Sequence, residues 1–322
     1  MKILENIINK QVHIHPSLNN KRVCFLDIET TGLNKSIDTI YLIGIAFFDD
    51  NICSWKIKQF FAEELKEEID ILLEAYEIIS RFDLIVNYNG TSFDIPFINS
   101  KLNYYKTNLT VSTDLSLDLY RIIRSNKNIL TLNNYKLKTI EEYLGIFRED
   151  KHSGKECTNF YFDYLVTKNM VAKNNILLHN FDDLYYLLDV MDILNIFDTK
   201  KTFTIKDKGD FYIDNIRLNK DYLFINGTID KNNIGNVVYF TNNYNIIINK
   251  DNTFEVSLEI MEGMVTSTEK CIFIKSKAYS LSKESYFNEY NIPRDLVILR
   301  VEKTYCIENL KLVLIELIKR VI

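Results

Sequence analysis

Three places in the chain combine residue types and spacings that suit metal or acid–base chemistry. Asp27-Ile28-Glu29 closes the apolar run Val23-Cys24-Phe25-Leu26. On a strand, residues two apart project from one face, so two carboxylates are aimed at a single point. Asn87-Tyr88-Asn89-Gly90-Thr91-Ser92-Phe93-Asp94 runs from a strand pattern through a polar turn and delivers Asp94 at the start of a helix. His179-Asn180-Phe181-Asp182-Asp183 sets His179 and Asp183 four apart, on one helical face. Carboxylate oxygens hold hard cations, and an imidazole exchanges protons near neutral pH. Each place alone has a plainer explanation: a solvated pair at 27 and 29, an N-cap at 94, a packed or surface histidine at 179. Position argues past the first of these. A solvated pair needs no buried strand before it and no Thr30-Thr31-Gly32 turn after it, whereas ligands on a rigid strand end do.

The elements that must carry these residues follow from periodicity. Residues 1–20 read as a short lead-in, broken by Pro16 and Asn19-Asn20. Arg22 to Ile28, Thr39 to Phe48 and Ser54 to Phe61 are strand patterns in meander order, and Asp83 to Asn87 is a fourth. Glu63 to Arg81 has helical spacing, with Ile69, Leu72, Leu73, Tyr76 and Ile79 on one face. Asp94 to Leu102, Leu117 to Arg124, Leu137 to Leu144 and Ile176 to Phe197 also read as helices, with a polar loop over 148–159. This order predicts an α/β fold, a mixed sheet flanked by helices, over 1–200. From Thr202 onward, segments alternate apolar and polar residues between Asn, Asp and Gly turns, and a helical stretch from Ile307 to Val321 closes the chain. Residues 201–322 are therefore expected to form a smaller, mostly β domain.

Composition narrows the class. The chain has 322 residues, 47% hydrophobic and 26% charged, as soluble folded proteins do, and its length suggests two domains. No apolar run approaches the roughly 20 residues of a membrane helix, and MKILENIINK lacks a signal-peptide core. A cytoplasmic protein without a membrane partner is expected. The five cysteines are far apart with no CxxC pair, which argues against a disulfide framework or a structural zinc site; Cys24 and Cys53 look like small core residues. His13-Ile14-His15 has metal-like spacing on a strand, with nothing nearby to support it. The net charge is −5, and residues 1–200 hold 28 acidic against 22 basic side chains. Overall basicity does not advertise nucleic-acid binding, while a carboxylate-lined metal site is compatible with this balance.

The ordered set VCFLDIETTGL, NYNGTSFDIPFI, SLDLYRIIR, LKTIEEYLGIFRED and HNFDDLYYL resembles the YprB-like ribonuclease H-like family of the DEDD 3′–5′ exonuclease superfamily, over about residues 21–200. The resemblance implies a ribonuclease H-like fold and assigns Asp27 and Glu29 to the first exonuclease motif, Asp94 to the second and Asp183 to the third. His179 takes the place of the general base, although its spacing to Asp183 is that of the family's tyrosine branch. Asp182 competes with Asp183 for the last ligand, and only Asp183 has both the family spacing and the helical relation to His179. Asp118 matches a family aspartate too, with helix capping as its preferred explanation.

These implications translate into a two-metal hydrolysis of phosphodiester bonds in DNA or RNA. Two Mg²⁺ or Mn²⁺ ions roughly 4 Å apart would be held by Asp27, Glu29, Asp94 and Asp183, with Asp27 bridging, while His179 removes a proton from the attacking water. The turn Thr30, Thr31, Gly32, Leu33, together with Asn89 and Phe93, is expected to receive a terminal nucleotide by hydrogen bonding and stacking, Phe93 having a core role as its alternative. Arg121, Arg124 and Lys127 either meet phosphates or form a solvated helix face. The partner is then a nucleic acid, expected as a single-stranded 3′ end. Two other readings stand beside a 3′–5′ exonuclease: a binding or scaffold protein that kept the fold without turnover, and a structure-specific endonuclease. Tyrosine-rich β segments with interspersed lysines in 201–322 suit single strands, as they suit ordinary β surfaces.

Overall fold

The structure, a computed structural model, describes residues 1–148, 151–230, 234–282, 286–287 and 289–322. Its chain divides into two compact units, Met1–Ser125 with Asn133–Ile193, and Asn126–Leu132 with Leu194–Ile322.

In the first unit, β1 (Lys2–Ile8), β2 (Val23–Thr30), β3 (Ile40–Asp49), β4 (Ser54–Phe61), β5 (Leu84–Asn87) and β6 (Ser116–Asp118) form a six-stranded sheet in the order β1-β4-β3-β2-β5-β6. β1 to β4, β4 to β3 and β3 to β2 pair antiparallel, whereas β2 to β5 and β5 to β6 pair parallel. Strand β2 lies inside the sheet and is covered on both faces, which is why it reads as a continuous apolar run until Asp27. Around it lie α1 (Glu68–Ile79), α2 (Asp94–Tyr104), α3 (Leu119–Ser125), α4 (Leu137–Tyr143), α5 (Gly154–Thr167) and α6 (Met170–Val190).

Several sequence expectations are corrected here. The lead-in includes an edge strand the sequence pattern does not show, in which Lys2 to Ile8 pair residue by residue with Phe61 to Trp55. The buried stripe of α1 is Glu68, Ile71, Leu72, Ala75, Ile78 and Ile79, while Leu73 is exposed. Glu68 begins that stripe because its carboxylate accepts the Ile40 N–H at 2.7 Å and the Tyr105 hydroxyl at 2.9 Å, tying α1 to β3 and to the residue after α2. An acid doing the work of a core residue shifts the apparent apolar face. Ser116–Asp118 extend as an edge strand before α3 begins, so Lys127 lies beyond that helix. The loop expected over 148–159 gives way to α5 at Gly154, started by a capping box in which Ser153 and Glu156 bond reciprocally. Residues 149 and 150 of that stretch lie outside the described residues. Cys24 is buried, but Cys53 is exposed with φ 49° in the turn between β3 and β4. His13 and His15 lie outside any strand, and His15 Nδ1 meets the Ser17 hydroxyl at 2.8 Å.

In the second unit, α7 (Ile193–Lys201) leads into β7 (Thr202–Ile205), β8 (Gly209–Asn219), β9 (Tyr222–Ile229), β10 (Val237–Phe240), β11 (Tyr244–Ile248) and β12 (Thr253–Glu259), an antiparallel sheet in the order β10-β11-β12-β9-β8-β7. A second antiparallel sheet joins β13 (Met261–Met264), β14 (Lys270–Lys275), β15 (Leu296–Val301) and β16 (Thr304–Tyr305). Helix α8 (Ile307–Lys319) buries Leu310, Val313, Leu314 and Leu317, one residue per turn or so along one face, in the core of this unit. Among the described residues, no helix is long and apolar enough to cross a membrane.

Candidate active site

Asp27 and Glu29 leave β2 on the face that α6 covers. The spacing of α6 then matters: His179 and Asp183 are one turn apart, and Asn180 points toward the sheet between them. His179 Nε2 lies 3.7 Å from Glu29 Oε1 and 3.6 Å from Asp183 Oδ2. Ligand atoms of Glu29, His179 and Asp183 all fall within 4.8 Å of one another, close enough for a single cation to meet them. Asp182, also buried, does not belong to this group.

Asp27 is fixed from the side by a relay across the sheet. In the pairing of β2, β3 and β4, Asp27 stands opposite Gly44, and Gly44 opposite Gln59. Asn180 lies over Gly44. Gln59 donates to Asn180 Oδ1 at 2.9 Å and to the Leu177 carbonyl at 2.8 Å, and Asn180 Nδ2 donates to Asp27 Oδ2 at 2.7 Å. Because Gln59 offers only N–H to that oxygen, Asn180 must turn its own N–H toward the carboxylate.

Asp94 does not cap its own helix. Phe93 occupies the N-cap position, and the Asp94 carboxylate accepts the Ile28 backbone N–H at 3.1 Å, so α2 is tied to the strand between Asp27 and Glu29. The Asp94 carboxyl is pushed up to about 7, by burial first, against the pull of its own and the Ile28 backbone N–H groups and with the charges of Asp118 and Asp183 adding to the rise. Asp27 is held well above the usual carboxylate range, by burial first and then by Asp183, Glu29 and Asp94. Four carboxylates thus share one locality, and their charges help to raise the proton affinity of Asp27 and Asp94. Tyr41, buried beside Glu29 with its hydroxyl 3.5 Å from Oε2, is kept protonated by burial and by the Glu29 charge.

Among the described residues, the Arg148 guanidinium reaches into this acidic cluster. The buried Arg148 guanidinium makes a fork to Glu141, with Nε to Oε2 at 2.7 Å, and a further ion pair to Asp183 Oδ1. Burial opposes its charge, but Glu141 and Asp183 outweigh that and raise its pKa. Asp183 therefore presents one oxygen to Arg148 and the other to His179. The donor set fits hard divalent cations: carboxylate oxygens with one imidazole, in a locality whose proton affinities are raised by charge that a cation would neutralise.

The RNase H superfamily model, RNase_H_2, matches residues 24–195, the stretch that carries every residue of this cluster. The chain belongs to that superfamily. No curated protein matches it. Among solved structures, the RNase H-like fold resembles the family B DNA polymerase of Pyrobaculum calidifontis at 16% identity and TM-score 0.44, over 56% of this chain and 25% of the polymerase. It also resembles the Nibbler EXO domain of Aedes aegypti at 15% identity and TM-score 0.36, over 56% of this chain and 83% of that domain. The zinc-bound E. coli ExoI–ssDNA complex matches at 10% identity and TM-score 0.32, over 64% of this chain and 54% of ExoI. The chain thus spans a quarter of the polymerase and about half of ExoI.

The residues expected to meet substrate have these surroundings. Thr30 is buried and its hydroxyl donates to the Gly32 carbonyl at 2.7 Å, closing the turn that leaves Leu33 exposed. Thr31 Oγ1 accepts the Thr39 N–H at 2.9 Å. Asn89 is exposed, with φ 68°, and its N–H donates to Asp118 Oδ1 at 2.8 Å. Asp118 also accepts the Thr91 N–H at 3.3 Å and the Arg121 N–H at 3.4 Å, so it organises the loop before α2 as well as the start of α3. Phe93 is half-buried and packs edge-on against Phe97, with ring centroids 5.5 Å apart, which puts it on the border of the core.

Spacing and periodicity assign no role to Arg148, Glu141, Asn180, Gln59 or Gly44. Asn180 is next to His179 in sequence, but its contact with Asp27 depends on the register of three strands. Gly44 has the most specific role. A Cβ there would overlap Asn180 Oδ1 and Leu184 Cδ1, so glycine lets α6 approach β3 closely. Gly44→Ala is expected to destabilise the protein by about 1–3 kcal/mol in urea unfolding and to lower any activity that depends on Asp27, by displacing Asn180.

Proposed function

We propose that the chain is a metal-dependent nuclease that hydrolyses phosphodiester bonds of single-stranded DNA or RNA from the 3′ end. The observation that carries this reading is the convergence of Asp27, Glu29, Asp94 and Asp183 from a strand and two helices, with His179 3.6 Å from Asp183. A fold alone has no need of converging like charges in a buried place.

Asp27, Glu29, Asp94 and Asp183 would hold two Mg²⁺ or Mn²⁺ ions, whose charge, when bound, offsets that building on the phosphate and on the attacking and leaving oxygens. The chain's own groups do the rest. Asn180 orients Asp27, and Arg148 orients Asp183 while leaving its other oxygen toward the site. His179 accepts the proton of the attacking water at Nε2, and Glu29 and Asp183, on either side of that atom, stabilise the imidazolium. Tyr41 donates its hydroxyl to Glu29, satisfying the oxygen turned from His179. The exposed Leu33 and the rim at Asn89 and Phe93 receive the terminal nucleotide.

The test is incubation of 5′-labelled single strands of DNA and of RNA with Mg²⁺, Mn²⁺ or EDTA. A ladder shortening from the 3′ end with either metal is expected, and none with EDTA. Discrete internal fragments from structured strands would replace the exonuclease reading by the endonuclease one. Binding without cleavage would leave an inert module.

A further inference from the structure

Beside Asn89, the first unit has an open cavity of about 610 Å³ whose walls include Tyr88, Asn89, Tyr120, Arg124, Tyr135 and Lys136. Its chemistry is opposite in sign to the acidic cluster: no carboxylate lines it, and Arg124 and Lys136 are both exposed. The Tyr88 and Tyr120 rings lie 5.7 Å apart at 60°. The Arg124 guanidinium stands 5.8 Å from the Tyr120 ring centre and 5.6 Å from that of Tyr135. Tyr88 donates its hydroxyl to the Tyr135 carbonyl at 2.6 Å, which locks the wall formed by the two strand-end and loop tyrosines. Among the described residues no carboxylate pairs with Arg124, whereas neighbouring Arg121 is engaged with Asp118 and the Ser92 hydroxyl.

Flat rings at a fixed spacing, with an arginine and a lysine whose heads remain in solvent, are what an unpaired base and its phosphate require. A base within a duplex cannot offer its face to such rings. The pocket is also coupled to the acidic cluster through its own backbone. Asn89 is held by Asp118, and the loop from Asn89 leads along the chain to Asp94 at the start of α2.

We propose that this pocket binds an internal nucleotide of the substrate strand, upstream of the bond to be cut, with its base against Tyr88, Tyr120 and Tyr135 and its phosphate on Arg124 and Lys136. This rests on the nuclease reading above, and it names how a single strand is selected. Base stacking and phosphate contact are shared by DNA and RNA, so both must be offered.

The experiment compares the full chain with R124A and Y120A, using fluorescent oligothymidylate and oligouridylate for binding and cleavage, and the p-nitrophenyl ester of thymidine 5′-monophosphate as a substrate that reaches the cleavage site alone. Each substitution is expected to weaken strand binding about tenfold and to raise KM far more than it lowers kcat. R124A also flattens the dependence of log Kd on log salt by about 0.7, the signature of one lost phosphate contact to a single strand. Ester hydrolysis falls far less than strand hydrolysis. The arm, thymidylate or uridylate, that shows the loss identifies the strand. Strand binding and salt slope unchanged in both arms, or ester and strand hydrolysis falling together, overturns the pocket while a cleaving parent protein leaves the nuclease reading standing. A parent protein that neither binds nor cleaves strands removes both.

Discussion

Asp27→Asn is expected to lower strand cleavage by on the order of a thousandfold or more while making the metal-free protein more stable at alkaline pH. Both effects come from one charge. Asp27 sits at the centre of the cluster, where burial and the charges of Asp183, Glu29 and Asp94 hold its carboxyl well above the usual range. An acid raised in the folded state binds more protons folded than unfolded, so its ionisation opposes folding. That penalty vanishes well below about pH 4, where the group is protonated in both states, and it begins near the unfolded value of about 4. It grows as the pH climbs toward the folded value and is complete above it. Asp94 contributes with the same sign, its penalty accumulating between about 4 and about 7. Asparagine keeps an oxygen to accept the Asn180 N–H and carries no charge. The metal-free variant should therefore melt a few degrees above wild type at pH 8, and the gap should close toward pH 4. Mn²⁺ should raise the midpoint of wild type and do so less for the variant. Scanning calorimetry across that pH range, with and without metal, reads all of this.

Arg148→Met is expected to cost about 3–5 kcal/mol, seen as a lower urea midpoint with an unchanged slope. Methionine roughly fills the volume but leaves Glu141, itself buried, without the fork that satisfied both of its oxygens. It also frees Asp183 from the contact that sets its orientation toward His179, so kcat should fall along with stability. Lysine should restore little, since a single ammonium cannot reproduce a planar fork to Glu141 and a third contact to Asp183. A double variant in which Glu141 becomes glutamine and Arg148 methionine removes the stranded charge, and should recover stability without recovering the rate. That separation distinguishes a group holding Asp183 from one that merely closes the core.

Part of this arrangement was legible from the residues. The apolar run before Asp27 was visible because β2 is covered on both faces, and strand alternation alone aims Asp27 and Glu29 together. The turn into Asp94 and the one-turn spacing of His179 and Asp183 were equally local. What stayed hidden depends on register or on polar residues in core positions. No periodicity shows that Gly44 stands between Asp27 and Gln59, or that Asn180 fills the space it leaves. Glu68 disguised the buried face of α1, and Lys2–Ile8 carries too little alternation to announce an edge strand that β4 completes. Arg148 could not be assigned to Asp183, 35 residues away, from spacing of any kind. Helix α5 was masked by its Thr, Asn and aromatic content, although its Ser153 and Glu156 capping box was there to be read.

The most direct measurement is the initial rate of single-strand cleavage by metal-stripped protein as Mn²⁺ is added back, run in parallel on wild type and Asp27→Asn. The account predicts no cleavage without metal, a rate that rises and saturates with Mn²⁺ for wild type, and a flat baseline for the variant at every concentration. Cleavage by wild type in excess EDTA, or a variant that matches wild type at saturating Mn²⁺, would contradict it.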